Sequence, residues 1–132
     1  MPEDRVERRL AAILSADVVG YSRLMGEDEA GTLAAIKALR KELFAPAVAE
    51  HHGRIVKLMG DGALVEFASI VDAVAAAVEI QRALAERNAA VAKPIVLRIG
   101  VNLGDIVIVG SDILVMASTS PPAWKLRRHL AA

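Results

Sequence analysis

A hairpin signal with a long helical pattern on either side constrains this chain more than any other feature. The apolar runs Arg54 to Gly60 and Ala63 to Ala68 are joined by Gly60-Asp61-Gly62 and read as two paired strands. Ahead of them, Leu33, Ile36, Leu39, Leu43 and Ala47 recur at helical spacing within Glu29 to Glu50, and Gly53 lies just past the end. Pro46 cannot continue a regular helix, so a kink or split is expected near Phe44. Behind the hairpin, Ser69 to Arg87 reads as a second helix. Ser69 and Asp72 form its capping pair, and Ala73, Val74, Ala77, Val78, Ile80 and Leu84 form its apolar face. Leu10 to Asp17 reads as a buried strand. Ile95 to Asn102 and Ile106 to Val109 read as two more, joined by Leu103-Gly104-Asp105.

The first six elements follow the order βαββαβ. The expected fold class is therefore α+β, a ferredoxin-like sheet with helices on one face. In that topology the first strand lies beside the central hairpin. Asp17, which ends the first strand, and Asp61, at the hairpin tip, then meet at one edge of one sheet.

Composition narrows the function classes. The chain has 132 residues, enough for one domain with a sizeable core, and it is 55% hydrophobic and 24% charged, as a folded globular chain would be. Its 16 basic and 16 acidic residues cancel and only 3% are aromatic, which argues against nucleic acid as a partner. With no cysteine, a disulfide framework and a thiolate metal site are excluded, and a reducing cytoplasm suits the chain. The most apolar stretch, Ala73 to Val78, is bounded by Asp72 and Glu79. No run reaches the roughly 18 apolar residues of a membrane span. The charged start, Met1 to Arg9, lacks the apolar core of a signal peptide. The expected location is cytoplasmic, with no membrane segment.

The chemistry rests on a few residues. Asp17 opens Asp17-Val18-Val19-Gly20-Tyr21-Ser22 directly after the apolar run Ala11-Ala12-Ile13-Leu14. A carboxylate ending a buried strand needs a partner, either the backbone of the turn it caps or a hard cation. Backbone N–H groups from Val18 to Tyr21 could hold phosphate oxygens. Asp61 is either an ordinary turn residue or a second cation ligand. Lys57 interrupts the apolar strand Ile55-Val56-Lys57-Leu58-Met59, as an exposed position or as a hydrogen-bond donor to a base or phosphate. His51, His52 and His129 have no ligand pair at metal spacing and read as structural. Arg98, within a strand, reads as a surface or interface residue.

Taken together, Asp17-Val18-Val19-Gly20-Tyr21-Ser22, Gly53-Arg54-Ile55-Val56-Lys57-Leu58-Met59-Gly60-Asp61-Gly62 and Arg98-Ile99-Gly100-Val101-Asn102-Leu103-Gly104-Asp105 resemble the catalytic domain of bacterial class III adenylate and guanylate cyclases. The matching segments keep the family's order and spacing from about Ala11 to Ile113. The resemblance implies that Asp17 and Asp61, with the Val18 carbonyl, hold two Mg²⁺ or Mn²⁺ ions, and that Val19, Gly20, Tyr21 and Ser22 cradle a triphosphate. It implies in-line attack of the ribose 3′-hydroxyl on the α-phosphate. Lys57 and Asp112 fall at the family's base-selecting positions, and their identities go with adenine, hence ATP and 3′,5′-cyclic AMP. In the family the sites lie between two catalytic domains, which implies a homodimer. Diguanylate cyclases share the core architecture, but their Gly-Gly-Asp/Glu-Glu-Phe signature is absent.

After Ile113 the resemblance stops. The family continues with a segment like Gly-Asp-Gly-Val-Asn-Val-Ala-Ala-Arg-Leu-Glu, whose Asn orients the ribose and whose Arg stabilises the transition state. Here the chain reads Val115-Met116-Ala117-Ser118-Thr119-Ser120-Pro121-Pro122-Ala123-Trp124-Lys125. Written in codons and read from its second base, the family segment gives this run without a mismatch. The expected organisation is a partial cyclase domain over 1–113 and an out-of-frame tail over 114–132, with a short helix possible from Ala123 to Leu130. Such a chain should be a cyclase with impaired activity. The alternatives are a catalytically silent module that binds nucleotide or dimerises, and a ferredoxin-like domain with unrelated small-molecule binding.

Overall fold

The computed structural model describes residues 6–109 and 112–116, with side chains from 9 to 107. The central strand, β1 (Val6–Val18), is buried on both faces: Ala11, Ala12, Ile13, Leu14 and Ala16 are all buried. That is what a continuous apolar run predicts for a strand inside a sheet. Around it lie β2 (Arg54–Met59), β3 (Gly62–Phe67), β4 (Leu97–Val109) and β5 (Asp112–Met116), in the order β2-β3-β1-β4-β5 with every pairing antiparallel. The βαββαβ order and the placement of β1 beside the hairpin are as expected.

The helices are α1 (Tyr21–Glu27), α2 (Glu29–Leu39), α3 (Ala45–Glu50) and α4 (Ile70–Asn88). Between α2 and α3 the chain forms a π-helical stretch, Arg40–Phe44. Pro46, near the start of α3, has no N–H to bond back and its ring crowds the preceding turn. Widening the helix relieves both problems and gives the break expected near Phe44. Asp28 caps α2 by accepting from Gly31 N–H (3.0 Å), and Ser69 caps α4 by accepting from Asp72 N–H (3.1 Å).

All helical contributions to the main core lie on one face of the sheet. Leu14, Val18, Val65 and Phe67 meet Ile36 and Phe44 from one helical layer and Ile80 from α4. Fully burying a side chain of this size contributes about 1.5–3 kcal/mol. Gly53 is needed here, because a Cβ at that position would lie 2.5 Å from Cε2 of the fully buried Phe67 ring. The opposite face carries a smaller cluster of Ala11, Ile13 and Ile106 with Leu64. On this face Glu66 bridges two strands, accepting from Arg9 Nη2 at 2.6 Å and from Arg54 Nη2 at 2.8 Å.

The structure departs from several expectations. β4 runs without interruption through Leu103-Gly104-Asp105, where a turn was expected, because β1 offers it a partner from Leu97 opposite Val18 to Val109 opposite Val6. For the same reason β1 begins at Val6 rather than Leu10. Leu33, Val74 and Val78 are exposed. The buried stripe of α4 is Ala73, Ala76, Ile80 and Leu84, whose spacing keeps small residues against the sheet. Helix α1 was not anticipated: it buries no residue and has no side-chain cap, so it left no periodic signal. The expected boundary between 113 and 114 falls within β5. The expected helix from Ala123 to Leu130 lies outside the described residues. Among the described residues no helix is long and apolar enough to cross a membrane.

Candidate functional site

Asp17 is one residue from the end of β1, in register with Gly62 of β3 on one side and Arg98 of β4 on the other. Strand alternation puts it on the face opposite the helices, with Ile13 and Ala11. It is only 8% exposed. Arg98 Nε stands 3.7 Å from Asp17 Oδ1, an ion pair longer than a hydrogen bond. On the other flank a Cβ on Gly62 would lie 3.1 Å from the Ala16 carbonyl oxygen and 3.8 Å from Asp17 Cβ. Glycine therefore lets β3 run close beside the carboxylate.

Asp61 occupies the turn between β2 and β3, which consists of Gly60 and Asp61, with Gly62 already in β3. Gly60 has a φ of 43°, the left-handed region that glycine enters without strain. The turn is tied down on both sides. Val18 N–H donates to the Asp61 carbonyl at 3.1 Å, and Arg40 Nη2 donates to the Gly60 carbonyl at 3.2 Å. Asp17 and Asp61 thus end up at neighbouring backbone positions on one sheet edge, as the topology implied.

The phosphate loop is built differently from the expectation. Val18 N–H is taken by Asp61, and Val19 N–H is taken by the Val96 carbonyl at 2.9 Å. Those two donors belong to the sheet. Gly20, with a φ of 69°, is the N-cap of α1, and Tyr21 and Ser22 are its first residues. Amides in a first helical turn have no acceptor within their helix, so the open donors begin here. The Tyr21 side chain packs against the main core, which fixes the turn. Arg23, which sequence reading passed over, lays its guanidinium over Gly20, with Nη2 3.1 Å from where a Cβ would be.

Lys57 is exposed on the edge strand β2, at a register shift between Ile55 and Lys57. It pairs in register with Leu64, a member of the smaller cluster, which puts it on the same face as Asp17. Asp112 is the first residue of β5, in register with Val109. The start of β4 is held from α4: Gln81 Nε2 donates to the Leu97 carbonyl at 3.0 Å, and Asn88 Nδ2 donates to the Ile95 carbonyl at 2.9 Å. Those contacts fix Arg98 next to Asp17. His51 Nε2 lies 2.7 Å from Glu79 Oε1 and ties the end of α3 to α4, a structural role as expected. His129 lies outside the described residues.

Two carboxylates and the Val18 carbonyl are all oxygen donors, the set that suits Mg²⁺ or Mn²⁺ rather than softer ions. Among the described residues no group of three or more His, Cys, Asp or Glu converges. The residues fit a cation that keeps water or phosphate oxygens in its shell, which is the habit of Mg²⁺.

No protein-family model matches the chain. It is 50% identical over 115 residues to the Rhizobium meliloti (strain 1021) protein named "Putative adenylate cyclase 3", a match over 86% of this chain and 20% of that protein. The chain thus spans about a fifth of that relative's length. Among solved structures, it superimposes on an adenylate/guanylate cyclase/hydrolase from Silicibacter pomeroyi with a TM-score of 0.76 at 46% identity, over 83% of this chain and 65% of that one. It superimposes on the guanylyl cyclase Cya2 with a TM-score of 0.72 at 25% identity, over 93% of this chain and 69% of that one. The sheet order, the two aspartates on one edge and these matches define a nucleotidyl cyclase fold. The chain belongs to the class III adenylate/guanylate cyclase catalytic-domain family.

Proposed function

We propose that this domain converts ATP to 3′,5′-cyclic AMP and pyrophosphate in cyclic-nucleotide signalling, and that this chain does so poorly. The observation that carries the reading is the pairing of β1 with the hairpin, which sets Asp17 beside Gly62 and joins Val18 to Asp61. Asp17 and Asp61, with the Val18 carbonyl, would hold two Mg²⁺ or Mn²⁺ ions. Bound there, the metal would supply Lewis-acid activation of the ribose 3′-hydroxyl and neutralise charge on the leaving pyrophosphate.

The protein's own share is positioning. The α1 N-terminus at Gly20, Tyr21 and Ser22 offers amides to the triphosphate. Lys57 would donate to adenine N1, and Asp112 would accept from its amino group. Lys57 stands on an exposed edge strand, which suits a residue that serves a site shared with a second copy of the chain. On this reading the domain works as a homodimer in the cytoplasm, with ATP as its substrate. Poor turnover follows from the tail, where neither the ribose-orienting Asn nor the transition-state Arg has a counterpart. A missing donor of this kind typically costs about 10² to 10³ in rate.

The test is Mn²⁺-dependent ATP binding and cyclic AMP formation by the purified chain, with Asp17→Ala and Asp61→Ala as controls. Binding that is lost in both variants, with turnover far below that of a complete cyclase domain, is the expected outcome. Nucleotide binding indifferent to Mn²⁺ and to both substitutions would overturn the reading.

A further inference from the structure

We propose that Arg98 is a built-in partner for Asp17, pairing with the carboxylate in the metal-free protein and competing with the divalent cation that binds there. The inference rests on the reading of Asp17 as a cation ligand. Asp17 and Arg98 are directly opposed in the β1–β4 ladder, with Nε and Oδ1 3.7 Å apart. The Asp17 side chain is 11% exposed and that of Arg98 is 26% exposed. A carboxylate so far removed from water is costly to bury unless it is paired or hydrogen-bonded.

The geometry suits an exchangeable partner. At 3.7 Å the contact falls short of the short, two-pronged fork that makes an arginine–carboxylate pair tight. The opposite flank of Asp17 faces Gly62, which brings no side chain. The backbone beneath Arg98 is held by Gln81 and Asn88. The guanidinium can therefore swing off the carboxylate without moving its strand. A cation arriving at Asp17 meets a positive charge within about 4 Å, which weakens its binding until Arg98 turns away. The metal-free fold gains what the metal complex loses.

The experiment uses the full chain with Mn²⁺ as the only ligand. Arg98→Met should lower the thermal midpoint of the metal-free protein. It should tighten Mn²⁺ binding by about tenfold or more, the scale on which a neighbouring charge shifts a carboxylate's affinity for cations. Saturating Mn²⁺ should then raise its midpoint by more than it raises the wild-type one. Arg98→Gln serves where Arg98→Met does not fold, with the same directions expected. Mn²⁺ binding unchanged or weaker in these variants overturns the proposal.

Asp17→Asn separates this failure from failure of the metal reading. If Asp17→Asn binds Mn²⁺ as well as the wild type does, Asp17 is no cation ligand, and the competition falls with it. The pairing role is read independently of metal. The midpoint lost on Arg98→Met should largely vanish in an Asp17→Asn background, and an equal loss in both backgrounds overturns it.

Discussion

Val18 N–H donates to the Asp61 carbonyl at 3.1 Å, one residue past the last register pair between β1 and β3, Asp17 and Gly62. This bond closes the gap between a strand end and a hairpin tip that lie far apart in the chain. It sets the spacing of the two carboxylate-bearing residues through the backbone.

The closeness of β3 to β1 at this point depends on Gly62. Gly62→Ala puts a methyl group 3.1 Å from the Ala16 carbonyl and beside Asp17. The strands must part by a few tenths of an ångström. We expect a loss of about 1–3 kcal/mol in urea unfolding, the usual scale of overpacking. Mn²⁺ binding measured by calorimetry should weaken as well, because the same shift moves Asp17 relative to Asp61. Gly53→Ala, aimed at the Phe67 ring, should destabilise on a similar scale and leave Mn²⁺ affinity in the folded protein unchanged.

Base choice is tested at Lys57. Lys57→Glu replaces a donor to adenine N1 with an acceptor. The ratio of ATP to GTP affinity in the presence of Mn²⁺ should fall by about tenfold or more, since a hydrogen-bonding group facing the wrong base is left unpaired. The substitution lies on an exposed edge, so the thermal midpoint should move little. An unchanged ratio would remove Lys57 from the site.

The tail is tested in the gene. A single-base insertion or deletion near codon 114 should restore the family segment with its Asn and Arg, which nucleotide sequencing decides directly. Expression of the repaired frame should raise cyclic AMP formation by about 10² or more over the present chain. If no one-base change restores the segment, the tail is a divergent sequence and the out-of-frame explanation fails.

Glu66 gives a pH signature away from the site. Burial pushes its carboxyl up, but hydrogen bonds and charge from Arg54 and Arg9 outweigh that and hold it below the ordinary value of 4.5. The folded state therefore binds this proton less readily than the unfolded one. The stabilisation is complete above the unfolded value and fades as pH falls through the folded one. Glu66→Gln should cost about 1 kcal/mol at neutral pH, because its arginine partners are well exposed. The difference from wild type in urea midpoint should shrink steadily below about pH 4. A constant difference across that range would show that Glu66 acts through packing instead.

Local chemistry carried much of this protein on its own. The two helices announced themselves by spacing, Pro46 marked the break that became a π stretch, and Ser69 named its cap. The hairpin and the strand before Asp17 were readable because short apolar runs with glycine between them have few other uses. Set in that order, they implied which strands would be neighbours, and so that Asp17 and Asp61 would meet.

What the sequence could not determine was which individual groups become paired across the sheet. Gly104 looked like a turn until β1 supplied thirteen register partners for β4. The amides of Val18 and Val19 looked available for phosphate until the hairpin and Val96 took them. Arg98 looked like a surface residue until the ladder set it 3.7 Å from Asp17. The reason is the same in each case. A backbone amide or a charged side chain is assigned by whichever group the tertiary fold brings within reach, and that group lies elsewhere in the chain.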